Sequence, residues 1–150
     1  MTMLHPVLCI DYGSARIGLA ITDPVGIMAH PLETIHCKDV NPLLRIAELI
    51  EQRQVKQLVV GLPYHLDGRE GDAAEKVYGF VKRLQEHIPQ LPIHYCDERL
   101  STVAAANKLR QAGKKAKSHK NIIDQAAAVE ILNDWLTSQD TSYELPPEGF

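Results

Sequence analysis

The sequence predicts an α/β domain in which a mixed β-sheet carries helices on both faces. Three short segments with strand patterns follow one another near the N terminus, and strand and helix patterns alternate after them. A three-stranded meander followed by α/β units is typical of a mixed sheet covered by helices. A chain of 150 residues is long enough to form one domain with its own hydrophobic core.

The first three predicted strands follow from runs of apolar and alternating residues. Residues 7–10 are continuously apolar, which is typical of a buried strand. After a turn at residues 12–14, apolar and small residues alternate over residues 17–22 and predict a second strand of a hairpin. A third short strand is expected within residues 27–35, where Pro31 favours an edge position.

The rest of the domain shows helix and strand signals in alternation. Asn41 and Pro42 predict the start of a helix, as its N-cap and its first residue. The remaining predicted elements are a central parallel strand at 58–61, a helix from about Asp72 with Glu75 in a capping box, a strand at 92–96, and helices at 101–112 and 122–136.

A single domain is expected over residues 1–136, followed by an acidic tail at residues 137–150. The tail has three acids, no basic residue and a Pro-Pro pair, which predict disorder. No apolar run approaches the roughly 20 residues needed to span a bilayer, so we expect no membrane partner. An odd number of cysteines without metal-type spacing, and no leader pattern, favour a cytoplasmic location.

Basic residues are concentrated in one part of an otherwise acidic chain. The formal net charge is −3, but residues 99–123 contain seven basic residues and no acid. The remainder holds nine basic and 19 acidic residues, a net charge of −10. This asymmetry predicts an anionic partner such as nucleic acid, with a solvated charge run as the alternative. The candidate phosphate-binding residues are Arg99, Lys114, Lys115, Lys117 and Lys120.

Acids occur at the ends of two predicted strands and at the start of the last helix. Asp11 follows the first strand, Asp97 and Glu98 follow a later one, and Asp124 begins a helical stripe that includes Trp135. Turn formation, helix capping and helix-start preference are the alternatives for these acids. Ligands of open α/β sheets gather at the carboxyl ends of the strands, where these acids would meet.

Such a cluster of carboxylates would repel itself unless a cation lay among its members. Carboxylate oxygens suit Mg²⁺ or Mn²⁺. A pair of such ions about 3.5–4 Å apart can stabilise the attacking and leaving oxygens of a phosphodiester cleavage. The cluster therefore predicts a metal-dependent site.

Four motifs carry a resemblance to a known family. They are VLCIDYGSARIGLAITD, LVVGLPYHLDG, YCDERLST and IIDQAAAVEIL, in this order along the chain. The sequence resembles the YqgF/RuvX proteins, bacterial pre-16S rRNA nuclease and Holliday-junction resolvase homologues, from about Val7 to Leu136. The resemblance implies an RNase H-like fold. It also implies that Asp11, Glu98 and Asp124 are catalytic, metal-binding acids, with Asp97 as the alternative metal ligand to its neighbour Glu98.

The resemblance further implies cleavage of nucleic acid. Maturation of the 5′ end of 16S rRNA is the leading role, with pre-rRNA and pre-ribosomal particles as partners and branched DNA as the alternative substrate. We expect a monomer or a weak homodimer. Gly13, Gly61 and Pro63 are expected near the site as structural residues, and Arg99 is expected to contact phosphate or to orient Glu98.

Two other functions agree with part of the pattern. Sugar-kinase and actin-type nucleotide-binding proteins also place an Asp-x-Gly at the end of the first strand. They normally need a second such domain, for which 150 residues leave no room. A non-catalytic ribosome-assembly factor would use the basic segment without a metal.

Overall fold

The computed structural model describes residues 5–62, 71–88, 91–97 and 119–144. In the last of these ranges, side chains are described only for residues 124–138. At Asp97 only the backbone is described. The predicted helix at 101–112 lies outside these ranges. The elements are strands β1 (Val7–Asp11), β2 (Arg16–Thr22), β3 (Ala29–His36), β4 (Gln57–Leu62) and β5 (Ile93–Asp97), and helices α1 (Pro42–Arg53), α2 (Asp72–Gln85) and α3 (His119–Glu144).

The five strands form one mixed sheet in the order β3-β2-β1-β4-β5. Strands β1, β2 and β3 are an antiparallel meander, whereas β4 pairs in parallel with β1 and β5 pairs in parallel with β4. Pro31 lies in β3, an edge strand, where the missing N–H of proline is tolerated. The predicted hairpin, the edge position of the third strand and the central parallel strand are confirmed.

Both faces of the sheet are buried, which explains the continuous apolar run of β1. Leu8 and Ile10 belong to a core shared with the side chains of α1 and α2. Val7 and Cys9 alternate with them and belong to a second core shared with α3. The helices therefore cover both faces of the sheet, as predicted.

The first two helices begin where the sequence predicts. The side chain of Asn41 accepts hydrogen bonds from two backbone N–H groups of the first turn of α1, at 3.0 and 3.3 Å, and Pro42 follows as the first helical residue. Helix α2 begins at Asp72, but its N-cap is Gly71, which makes no side-chain cap. The predicted capping box with Glu75 is therefore wrong, because glycine has no side-chain oxygen with which to cap the helix.

Helix α3 extends beyond its predicted bounds. It begins at His119 and continues past Leu136 to Glu144, so the first part of the segment for which we expected disorder is helical. No proline or glycine interrupts the chain until Pro146, and a proline disfavours helical backbone at the residue before it. None of the described helices has the length and hydropathy needed to cross a membrane.

Candidate functional site

Asp11 is the last residue of β1 and faces the side of the sheet that α3 covers. Val7 and Cys9 pack into the core beneath α3. Because side chains alternate along a strand, Asp11 continues the same row. Its cross-strand partner on β2 is Gly18. The apolar residues of β1 thus hold a carboxylate at the edge of a buried layer.

Gly18 is where α3 approaches β2. A Cβ atom on this glycine would overlap the carbonyl oxygen of Asp124 and would lie 3.1 Å from the Cβ of Asp124. Directly opposed residues of an antiparallel pair have their Cβ positions on the same face of the sheet, about 4.5–5.5 Å apart. Asp11 and Asp124 therefore flank the same glycine, and the structure brings these two acids together.

Buried side chains hold α3 in this position. The predicted stripe is observed, since Ala128, Ile131 and Trp135 are all buried. The ring of Trp135 also lies 5.2 Å from the ring of His94 in β5, measured between centroids. At the start of the stripe, the Gln125 side-chain amide donates a hydrogen bond to the Thr34 hydroxyl at 3.0 Å. Asp124 is thus carried by a helix fixed at both ends of its packed face.

Arg16 forms an ion pair with Asp124 that the sequence did not predict. Its Nε donates to Oδ2 of Asp124 at 2.6 Å, and the side chains are 34% and 19% exposed. The two residues are separated by 108 positions, so no local pattern connects them. Gly18 was also missed, although a glycine inside an alternating strand often marks a close approach.

The turn after β1 places Arg16 at the start of β2. A Cβ on Gly13 would lie only 2.5 Å from the carbonyl oxygen of Arg16, so this tight turn requires glycine. Tyr12 anchors the turn on the other face, with its ring centroid 4.7 Å from that of Phe80. Burial raises the pKa of the nearby Cys37 thiol, which disfavours the thiolate form that binds metals.

The remaining predicted site residues are described in part or lie outside the described ranges. Gly61 is buried in β4 opposite Cys96, and the backbone of Asp97 pairs with Leu62. Lys120 lies in the first turn of α3, where only its backbone is described. Outside the described ranges are Pro63, Glu98, Arg99, Lys114, Lys115 and Lys117.

The donor atoms of the site fit a hard cation. Asp11 and Asp124 provide carboxylate oxygens, which Mg²⁺ and Mn²⁺ prefer. Within the described ranges, no group of three histidine, cysteine or acidic side chains could hold a metal ion. The third carboxylate implied by the motifs, Glu98, belongs to the part of the chain that the structure leaves undescribed.

The order of the strands and the two helical layers define an RNase H-like α/β protein. Two structures of Thermus thermophilus RuvC, one of them in complex with a Holliday junction substrate, each align with 91% of this chain and with 96% and 98% of their own chains. Their TM-scores are 0.53 and 0.55, at 15% and 16% sequence identity. A family model described as "RuvX: Holliday junction resolvase" matches residues 5–138. The chain belongs to this RuvX family.

Curated relatives match over most of their length. A protein of Rhodococcus opacus is 44% identical over 138 residues, which is 89% of this chain and 78% of the relative. A protein of Streptomyces avermitilis is 44% identical over 143 residues, which is 95% of this chain and 92% of the relative. Both are described as "Putative pre-16S rRNA nuclease". The family resemblance carried by the four motifs is confirmed.

Proposed function

We propose that this protein is a metal-dependent endonuclease that acts in the cytoplasm and processes the 5′ end of pre-16S rRNA. The observation that carries the proposal is the meeting of Asp11 and Asp124 at Gly18, beyond the carboxyl end of β1. The description of the relatives as pre-16S rRNA nucleases supports the choice of substrate. Pre-rRNA within pre-ribosomal particles is the proposed partner.

Asp11, Glu98 and Asp124 would hold Mg²⁺ or Mn²⁺, which supplies charge stabilisation for the attacking and leaving oxygens of the cleaved phosphodiester. The pattern of β5 favours Glu98 over Asp97. His94 contacts Trp135, and the thiol of Cys96 donates to the carbonyl oxygen of Ile131 at 3.8 Å, so both face α3. An extended chain would return to this face at position 98.

The basic segment, residues 99–123, would hold the nucleic-acid backbone beside these acids. It directly precedes Asp124 along the chain, so its charges are tethered to the start of α3. Lysine and arginine neutralise phosphates and release counterions, which gives affinity without reading the base sequence. The proposed phosphate-binding residues are Arg99, Lys114, Lys115, Lys117 and Lys120.

Cleavage of branched DNA is the second candidate, favoured by the resolvase description of the family. Symmetric cutting of a four-way junction requires two active sites related by a two-fold axis. We propose a monomer or a weak homodimer for the free protein. Sedimentation with and without a four-way junction would distinguish a dimeric resolvase from a monomeric RNA nuclease.

The first test replaces Asp11 by Asn. We expect cleavage of a pre-rRNA 5′ leader in Mn²⁺ to fall at least about a hundredfold, since metal catalysis depends on charged ligands. Circular dichroism and melting temperature should stay close to wild type because the amide has the shape of the carboxylate. The same assay on a four-way DNA junction separates the two substrates.

Asp134→Asn is a matched control for this test. Asp134 lies on α3 and is half-buried, but it is outside the packed stripe that begins at Asp124. This variant should cleave like wild type, whereas Asp124→Asn should be as inactive as Asp11→Asn. Full activity of the Asp11 variant would refute the assignment of the site.

A further inference from the structure

Arg16 forms an ion pair with Asp124, a carboxylate that would bind a metal ion in the proposed function. Its guanidinium bonds to Oδ2 of Asp124, and this bond joins the start of β2 to the second turn of α3. Bonds between two charged groups are roughly twice as strong as neutral ones. The site therefore contains a cation supplied by the protein itself.

The location of Arg16 puts this charge on the face of the sheet that carries both acids. Arg16 and Gly18 are two positions apart on β2 and so lie on the same face of the sheet. Asp11 is the cross-strand partner of Gly18. Arg16 therefore lies on the face of the sheet that carries both acids and offsets the negative charge of Asp124.

The backbone of Asp124 is held in place by contacts that do not involve Arg16. The carbonyl oxygen and Cβ of Asp124 lie against Gly18, and the adjacent Gln125 bonds to Thr34. Arg16 acts on the carboxylate at the end of the Asp124 side chain, where its main effect is electrostatic. Its positive charge offsets the negative charge of the carboxylate and repels a metal cation that approaches it. By Coulomb's law, Arg16 repels a divalent ion twice as strongly as a monovalent ion at the same distance.

We propose that Arg16 is an internal counter-ion that competes with the divalent cation for Asp124 and lowers the metal affinity of the free protein. This inference rests on the proposed function, in which Asp124 binds a metal. The Arg16 side chain is 34% exposed, so it has solvent on one side to move into. A guanidinium released from Asp124 has the geometry to bind a phosphate with two parallel hydrogen bonds.

The test is a Mn²⁺ titration of the wild-type protein and of Arg16→Gln, with free Mn²⁺ followed by electron paramagnetic resonance. We expect Arg16→Gln to bind Mn²⁺ about tenfold more tightly, which corresponds to about 1.4 kcal/mol. Without metal, this variant should melt at a lower temperature than wild type because Asp124 loses its counter-ion. Saturating Mn²⁺ should raise its melting temperature more than that of wild type.

Two further variants make the result specific. Arg16→Lys keeps the charge and should bind Mn²⁺ with nearly wild-type affinity. Arg45→Gln removes a different ion pair, with Glu33 at 2.7 Å, on the helix that covers the other face. It should lower the melting temperature and leave Mn²⁺ affinity unchanged.

Equal or weaker Mn²⁺ binding by Arg16→Gln would overturn the inference, as would tight binding by Arg16→Lys. The cleavage assay separates this failure from failure of the proposed function. If wild type cleaves in Mn²⁺ and Asp11→Asn does not, the nuclease assignment stands whatever Arg16→Gln shows. If wild type fails to cleave either substrate in Mn²⁺ or Mg²⁺, the nuclease assignment fails.

Discussion

Gly18 leaves room for the second turn of α3 to lie against β2. In Gly18→Ala, the new methyl group would overlap the carbonyl oxygen of Asp124, so backbone must shift. Overpacking of this kind costs about 1–3 kcal/mol of unfolding free energy. Urea denaturation should show this loss. Mn²⁺ binding should weaken as well, since Asp124 would be displaced from Asp11.

Gly79→Ala is the matched control for this substitution. Gly79 lies inside α2, and a Cβ there would meet only the Arg83 guanidinium, at 3.9 Å. Alanine is favoured over glycine in a helix interior by about 0.8–1.0 kcal/mol. This variant should therefore be more stable than wild type. A Gly18→Ala protein that matched wild type in stability and Mn²⁺ binding would contradict the role given to Gly18.

The positions of Asp11 and Asp124 relative to β1 and α3 could be predicted from the sequence because each lies at the end of a recognisable pattern, whereas their contacts could not. Asp11 comes at the end of an apolar run, and Asp124 begins a helical stripe. The Arg16 ion pair depends on how β2 and α3 meet, 108 positions apart in the chain. Such contacts arise from packing, and a single sequence carries no local pattern for them.

Helix α1 depends on Asn41 for its first turn. The Asn41 side chain satisfies two backbone N–H groups that have no partner within the helix. Asn41→Ala should lower the unfolding free energy by about 1 kcal/mol, measurable by urea denaturation. Asn41→Asp keeps an oxygen acceptor and should remain near wild type. Equal losses in both variants would rule out capping as the cause.

Helix ends show which parts of the secondary structure a sequence predicts well. The Asn-Pro start of α1 was predicted correctly because the cap and the fixed proline backbone act locally. The capping box of α2 was wrong because Gly71 takes the N-cap position that the pattern assigned to Asp72. The end of α3 was placed too early, since an acidic composition does not stop a helix where no glycine or proline interrupts it.

The covering of the sheet by helices on both faces could be predicted because β1 and β4 are continuously apolar rather than alternating. In β1, residues 7–10 are fully buried, and β4 is buried over its whole length. Only a sheet covered on both faces can bury every residue of a strand. The strand order β3-β2-β1-β4-β5 was not predicted, because the pairing of β4 with β1 joins strands that are far apart in the chain.

Acid should lower the free energy of unfolding, because three groups have pKa values in the folded state that lie below their usual values. Burial lowers the pKa of His5 from its usual 6.5, so protonation disfavours the folded state and stability declines as the pH falls below about 6.5. Hydrogen bonds from Arg45 lower the pKa of Glu33, and backbone hydrogen bonds lower that of Asp23. The stabilisation from these two carboxylates is present at neutral pH and disappears at more acidic pH.

Glu33→Gln isolates the carboxylate part of this pH dependence. The Arg45 guanidinium donates to both carboxylate oxygens of Glu33, at 2.8 and 2.7 Å, and so links α1 to the edge strand β3. The pKa of Glu33 is lower in the folded state than its usual 4.5, so the stabilisation is complete above pH 4.5 and is lost as the pH falls through the folded value.

The Glu33→Gln variant should therefore be less stable than wild type at pH 7, and the difference should shrink below pH 4.5. Urea denaturation from pH 7 to pH 3 measures both, and exposed Glu51→Gln should follow the wild-type curve. A constant gap between Glu33→Gln and wild type would mean that the Glu33 charge does not contribute.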